Sequence, residues 1–176
     1  MAGIDPTKTF KPLNLVVLTV SDTRTPETDV SGKTLCDRAE AAGHKIAIRK
    51  IVPDEQPEIE DFLRFYSTWD GCDVVLLTGG TGVTGRDVTP EAVHAVCDKL
   101  IPGFGELFRM ISFKLIATST IQSRATAGVA KGTYIFAMPG SPGACRDAWD
   151  HILVHQLDSR YRPCNFAELI DRLNET

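Results

Sequence analysis

Val74-Val75-Leu76-Leu77-Thr78-Gly79-Gly80-Thr81-Gly82-Val83-Thr84-Gly85-Arg86-Asp87-Val88-Thr89-Pro90 is the stretch that decides how this chain folds. Four apolar residues in a row mark a strand covered on both faces, as in a parallel sheet. The strand runs straight into a turn with four glycines, three threonines between Thr78 and Thr84, and one carboxylate, Asp87. Glycine admits positive φ and close backbone approach, so successive N–H groups can converge on phosphate oxygens. Thr89 reads as an N-cap with Pro90 at the first helical position, opening a helix whose buried face is Val93, Val96, Cys97 and Leu100. On that reading the Asp87 carboxylate is spare. The unit is strand, phosphate-handling turn, helix.

Working outward, the same alternation repeats. Leu15 to Val20 is another near-continuous apolar run, followed by a polar loop from Ser21 to Val30 and a helical stripe at Leu35, Ala39 and Ala42 closed by Gly43. Lys45 to Val52 predicts a second strand. Ile59, Phe62, Leu63 and Tyr66 then fall at helical spacing. After Pro102-Gly103, the residues Phe104, Leu107, Phe108 and Ile111 make a further amphipathic face. Ala127–Ala130 and Thr133–Met138, joined across Lys131-Gly132, predict a hairpin feeding a last central strand. That strand ends in Pro139-Gly140-Ser141-Pro142-Gly143, ahead of a helix with Cys145, Ala148, Trp149 and Ile152 on one face. The polar tail carries Phe166, Leu169, Ile170 and Leu173 on a short helix. Alternating strands and helices predict an α/β protein, a three-layer α/β/α sandwich with a mostly parallel central sheet.

Composition bounds the chemistry. The 176 residues suit one domain with a substantial core. A net charge of −4, with no basic stripe, argues against nucleic acid. Five cysteines, Cys36, Cys72, Cys97, Cys145 and Cys164, are scattered without C-x-x-C spacing, which points to reduced, mostly buried thiols in a cytoplasmic protein. No apolar run is long enough for a bilayer, and no signal-peptide core is present. His151 and His155 stand four apart on the last helix but lack a nearby acid in a glycine turn, so exposed or interface roles are expected.

Ligands in open α/β sheets bind at the carboxyl ends of the strands. Four turns lie there: Ser21-Asp22-Thr23, Pro53-Asp54-Glu55, Thr78 to Asp87, and Pro139 to Pro142. Gly80-x-Gly82-x-x-Gly85 formally matches a dinucleotide fingerprint, but that fingerprint normally follows the first strand. A P-loop is excluded because Arg86-Asp87 stands where Gly-Lys-Ser/Thr is required. A phosphate cradle of another type remains. Asp54 can cap the helix carrying Ile59, or it can join Asp87 in holding Mg²⁺ between phosphates.

These segments resemble the MoaB/Mog proteins of molybdenum-cofactor biosynthesis, a family that includes MogA and the G domain of gephyrin. The resemblance rests on Leu18–Asp22, Ile51–Glu55, Thr78–Gly82 with Arg86–Ala92, Pro102–Glu106, Ser123-Arg124 and Met138–Ser141. Phe108–Phe113 and Arg162–Phe166 resemble the MoaB branch more than MogA. The resemblance implies a molybdopterin-binding domain over positions 13–158, an N-terminal extension over 1–12, and a tail over 159–176 packed on the domain or a neighbouring subunit. It implies Mg-ATP-dependent adenylylation of molybdopterin with release of pyrophosphate. Asp54 and Asp87 would serve magnesium and catalysis. Thr78, Gly79, Gly80, Thr81 and Gly82 would bind phosphate, while Ser21, Asp22, Ser123, Pro139, Gly140 and Ser141 would enclose pterin and nucleotide. Arg86 and Arg124 are both candidates to face the phosphates. A homo-oligomer, trimer or hexamer, and a molybdate-inserting partner are implied as well. The alternative is a non-catalytic molybdopterin carrier using the same pocket.

Overall fold

A computed structural model describes residues 2–175. Its centre is a six-stranded sheet built from β2 (Asn14–Val20), β3 (Lys45–Val52), β4 (Val74–Thr78), β5 (Lys99–Leu100), β6 (Thr126–Ala130) and β7 (Thr133–Met138), in the order β3-β2-β4-β7-β6-β5. The pairs β2–β3, β2–β4 and β4–β7 are parallel, and β6 returns antiparallel to β7. Helices α1 (Val30–Ala41), α2 (Gln56–Ser67), α3 (Thr89–Val96), α4 (Pro102–Ile116) and α5 (Pro142–Ala148) complete the expected three layers.

The alternation of side chains along β2 separates the two cores. Leu15 and Val17 face α1, α4 and α5 with Leu35, Phe104, Phe108, Cys145 and Trp149. Val16 and Leu18 face α2 and α3 with Ile59, Leu63, Ala92 and Val93. Both faces are therefore covered, which is why β2 and β4 read as unbroken apolar runs. Burial of one such leucine or valine contributes about 1.5–3 kcal/mol. Polar residues end the strands, and the next turns collect at one rim.

The predicted hairpin forms. Lys131 and Gly132 take φ of 49° and 89°, the left-handed pair that a two-residue turn needs. Asp98 holds the Lys131 N–H at 2.9 Å and its ammonium at 3.2 Å, which offsets the strain on a non-glycine residue. Gly43 follows α1 with φ of 92°, as its position predicts.

Several elements depart from the sequence reading. Leu107 is exposed, because α4 turns Phe104 and Phe108 inward and leaves Ile111 half-buried. Leu100 is not on the buried face of α3 but in the short strand β5, paired with Gly128. The N-terminal segment pairs with the tail: β1 (Gly3–Ile4) runs antiparallel to β8 (Tyr161–Arg162). The tail packs on its own domain, with the Phe166 ring 4.9 Å from Tyr134 and 5.7 Å from Phe136. Phe113 is solvent-exposed, whereas Phe104, Phe108 and Trp149 lie in the core. No helix among the described residues is long and apolar enough to cross a membrane.

Candidate active site

The four turns named from sequence converge at the carboxyl rim of β2, β3, β4 and β7 and enclose two adjoining compartments. The wider holds about 500 Å³ and is lined by the glycine loop, Asp87, the Pro139–Ser141 turn and one face of α4. The narrower holds about 280 Å³ and is lined by Ser21, Arg24, Asp29, Ser31, Asp54 and Thr78 among others. Gly80 and Gly140 border both. A Cβ on Gly140 would stand 3.1 Å from Gly79 Cα, so the two glycine turns touch where the compartments meet.

The loop's shape depends on two residues that only glycine suits. Gly79 and Gly80 take φ of 108° and 63°. A Cβ on Gly79 would lie 2.2 Å from the Val20 carbonyl oxygen, and one on Gly80 would lie 2.4 Å from Thr89 Oγ1. Thr89 is therefore not the helix cap that the sequence suggested. Its hydroxyl donates to Gly79 O at 2.8 Å and its N–H to Gly80 O at 3.0 Å. The cap position falls to Val88, without a side-chain bond. Arg124 fastens the other end: its N–H donates to Thr81 O and its Nε to Gly82 O at 2.6 Å. Other guanidinium nitrogens of Arg124 reach Asp87 O and the Glu91 carboxylate. Held this way, the N–H groups of Gly80 and Thr81 take no protein acceptor among the described residues. Two adjacent donors left open in this way are what an anion-binding edge requires.

The two acids flank that edge. A Cβ on Gly80 would lie 3.3 Å from Asp54 Oδ1, and one on Gly82 would lie 2.7 Å from Asp87 Oδ2. Neither carboxylate is idle. Asp54 does not cap α2; it accepts from Asp22 N at 2.9 Å while Asp54 N donates to Asp22 Oδ1 at 3.0 Å, a reciprocal brace between β2 and β3. Asp87, expected to be spare, accepts from Thr84 N at 2.8 Å and Thr84 Oγ1 at 2.6 Å.

Their environments pull the two acids apart. Burial raises the Asp54 carboxyl above the usual range, and the neighbouring Asp22 and Asp87 charges add to it despite the bond from Asp22 N–H and the Arg86 charge. Burial also pushes Asp87 up. The Thr84 bonds and the Arg124 charge outweigh it, and its carboxyl ends below the usual range. Two carboxyls in such different surroundings are fitted to different roles.

The remaining predicted residues divide between lining and support. Gly79 to Gly82, Ser123, Pro139, Gly140 and Ser141 line the wider compartment, and Ser21 and Thr78 line the narrower. The Thr78 hydroxyl is spent on Pro139 O at 3.1 Å, and Ser141 Oγ caps α5 by accepting from Ala144 N. Asp22 stands behind the site, paired with Arg86 at 2.7 Å. Arg86 also binds Glu55 at 2.7 Å. Both expected arginines are thus occupied by protein acceptors.

Sequence reasoning missed the wall contributed by α4 and the turn after it, where Phe108, Ser112, Thr120 and Gln122 line the wider compartment. Ser112, four residues after Phe108 on an otherwise apolar helix face, was the available signal. It also missed Asp29, buried at the start of α1. Asp29 caps that helix through Gly32 N at 2.8 Å, accepts from Thr19 Oγ1 at 3.0 Å and pairs with Arg49 at 2.9 Å. His155 stacks on Tyr161 and His151 is exposed, so neither enters the site.

Among the described residues no group of three or more His, Cys, Asp or Glu could hold a metal ion. Asp54 and Asp87 are the hard oxygen groups beside this loop that could hold magnesium, which typically takes one or two protein carboxylates with phosphate oxygens and waters.

The family described as "Probable molybdopterin binding domain" matches residues 16–159. Molybdenum cofactor biosynthesis protein B of Escherichia coli (strain K12) is 50% identical over 157 residues, covering 89% of this chain and 92% of that protein. A crystal structure of Molybdenum cofactor biosynthesis protein B superposes with a TM-score of 0.83 at 44% identity, over 85% of this chain and 94% of the other. The tungsten cofactor synthesizing protein MoaB from Pyrococcus furiosus gives a TM-score of 0.73 at 34% identity, over 81% and 91%. With this fold, this glycine loop and matches of this extent, the chain belongs to the MoaB group of the molybdopterin-binding domain family.

Proposed function

We propose that this protein transfers AMP from Mg-ATP to the terminal phosphate of molybdopterin, giving adenylyl-molybdopterin and pyrophosphate. Its place in molybdenum-cofactor biosynthesis follows from its family. One observation carries the finer reading: the free N–H edge of Gly80 and Thr81 lies between two carboxylates of opposite pKa displacement. Phosphoryl-type transfer needs positioning and charge neutralisation more than covalent chemistry, and such an edge supplies both. The wider compartment, with Phe108 beneath and serines around it, takes the pterin. Gly80 and Thr81 N–H groups orient the reacting phosphate. Asp54 and Asp87 would hold magnesium, which supplies neutralising charge when bound. The Asp22–Asp54 brace and the Thr84–Asp87 bonds keep the acids apart and aimed. The same reading puts the homo-oligomer contact at the exposed apolar residues Met110, Phe113, Leu115 and Ile121.

The test mixes the protein with molybdopterin and Mg-ATP and follows pyrophosphate release. Parent protein turns over, and Asp87→Asn loses about 100- to 1,000-fold in rate, the scale of removing one electrostatic contact to the transition state. An Asp87→Asn rate equal to the parent's refutes the metal role. Stoichiometric pterin binding without pyrophosphate release replaces the enzyme with a carrier.

A further inference from the structure

A triphosphate in this site requires positive charge, and the two arginines nearest the glycine loop are committed elsewhere. Arg86 is bound by Asp22 and Glu55, and Arg124 by Glu91 and two loop carbonyls. Among the described residues lining the two compartments, one carries a cationic side chain: Arg24, in the narrower. Among the described residues its guanidinium makes one hydrogen bond, to Thr28 O at 3.3 Å, and no carboxylate pairs with it. Its backbone is fixed, since Arg24 N donates to Ser21 Oγ at 3.2 Å and the loop closes again through Thr25 N to Thr28 Oγ1 at 2.9 Å.

The anionic groups lining the narrower compartment are Asp29 and Asp54. Asp29 is neutralised by Arg49 and by bonds from Gly32 N and Thr19 Oγ1. Asp54 faces the glycine loop. What remains is a small polar chamber with one free guanidinium, one carboxylate suited to magnesium, and hydroxyls. Its lining of hydroxyls and charged groups suits a short polyphosphate better than a flat pterin ring.

We propose that Arg24 binds the two phosphates of the nucleotide that depart as pyrophosphate. The inference rests on the adenylyl-transfer reading above. In that step an oxygen of the molybdopterin phosphate bonds to the α-phosphorus. The bond from the α-phosphorus to the bridging oxygen breaks, and its electron pair leaves with pyrophosphate. Charge builds on the leaving group, where the Arg24 guanidinium faces it.

Calorimetric titration of the full chain with magnesium pyrophosphate, and separately with AMP, tests the assignment. Arg24→Gln weakens pyrophosphate binding by about 10- to 100-fold, the range for one charge-assisted contact. Arg24→Lys keeps part of the affinity, because an ammonium retains the charge but not the fork. AMP affinity stays within about twofold and the melting temperature is unchanged, since the side chain is exposed. Pyrophosphate binding by Arg24→Gln equal to the parent's, or an equal loss of AMP and pyrophosphate affinity, overturns the proposal. Pyrophosphate binding is read without turnover. A parent that binds it through Arg24 yet forms no adenylyl-molybdopterin would sink the reaction and keep the site; a parent that transfers AMP while Arg24→Gln binds normally would do the reverse.

Discussion

Replacing Gly82 with alanine tests whether the position of Asp87, and not merely its presence, governs the site. A Cβ there would stand 2.7 Å from Asp87 Oδ2 and 3.0 Å from its Cγ, where ordinary contact begins at 3.4 Å. The carboxylate must retreat by about 0.7 Å to make room. That motion stretches its bonds from Thr84 N and Thr84 Oγ1, now 2.8 and 2.6 Å. Asp87 is half-buried, so weakening two charge-assisted bonds costs about 1–2 kcal/mol in all. In a domain of this size that is a fall of about 2–8 °C in melting temperature. On the proposed reaction the rate responds more steeply, because a misplacement near 1 Å costs about 100-fold; kcat/KM for AMP transfer falls by about 10- to 100-fold. Gly85→Ala is the control. It makes the same chemical change three residues on, where a Cβ meets nothing within 4 Å. It leaves stability within about 0.5 kcal/mol and rate unchanged. Calorimetric melting and pyrophosphate release read the two effects separately. A Gly82→Ala enzyme as active as the parent, or an equal loss in Gly85→Ala, refutes the reasoning.

Asp54→Asn is expected to abolish AMP transfer while stabilising the fold near neutral pH. Its carboxyl is raised above 3.8 on folding, so the folded state disfavours the ion; the penalty is present above the folded pKa and vanishes below 3.8. Urea unfolding at pH 7 and pH 3 checks this, and a variant no more stable than the parent at pH 7 contradicts it. Arg49→Met leaves the fully buried Asp29 carboxylate unpaired and costs about 3 kcal/mol, the lower end for a broken buried pair because Arg49 itself is partly exposed. The double variant Asp29→Ser, Arg49→Met recovers most of that, since serine can still cap α1. A loss below about 1 kcal/mol in the single variant, measured by guanidinium unfolding, would mean the pair behaves as a surface salt bridge.

The layered α/β/α fold was written in local pattern. Runs such as Leu15–Val20 and Val74–Leu77 need cover on both faces wherever they sit, and helical spacing around them supplies it. The glycines of the turn after β4 were equally legible, because positive φ at Gly79 and Gly80 is a property of the residue type. Side-chain partnership was not. Thr89 looked like a cap and Asp87 like a spare acid, yet Thr89 is drawn to the Gly79 carbonyl and Asp87 to Thr84. Arg86 and Arg124 looked available, and each is bound by acceptors from segments distant in sequence. Arg24 and Asp29, unremarkable in a polar loop, acquire their surroundings from β3, α1 and the Pro139 turn. Backbone preference is set within a few residues and survives in the sequence. Which donor meets which acceptor depends on chain segments brought together only when the sheet forms, and that pairing decides which charges remain free to meet a ligand.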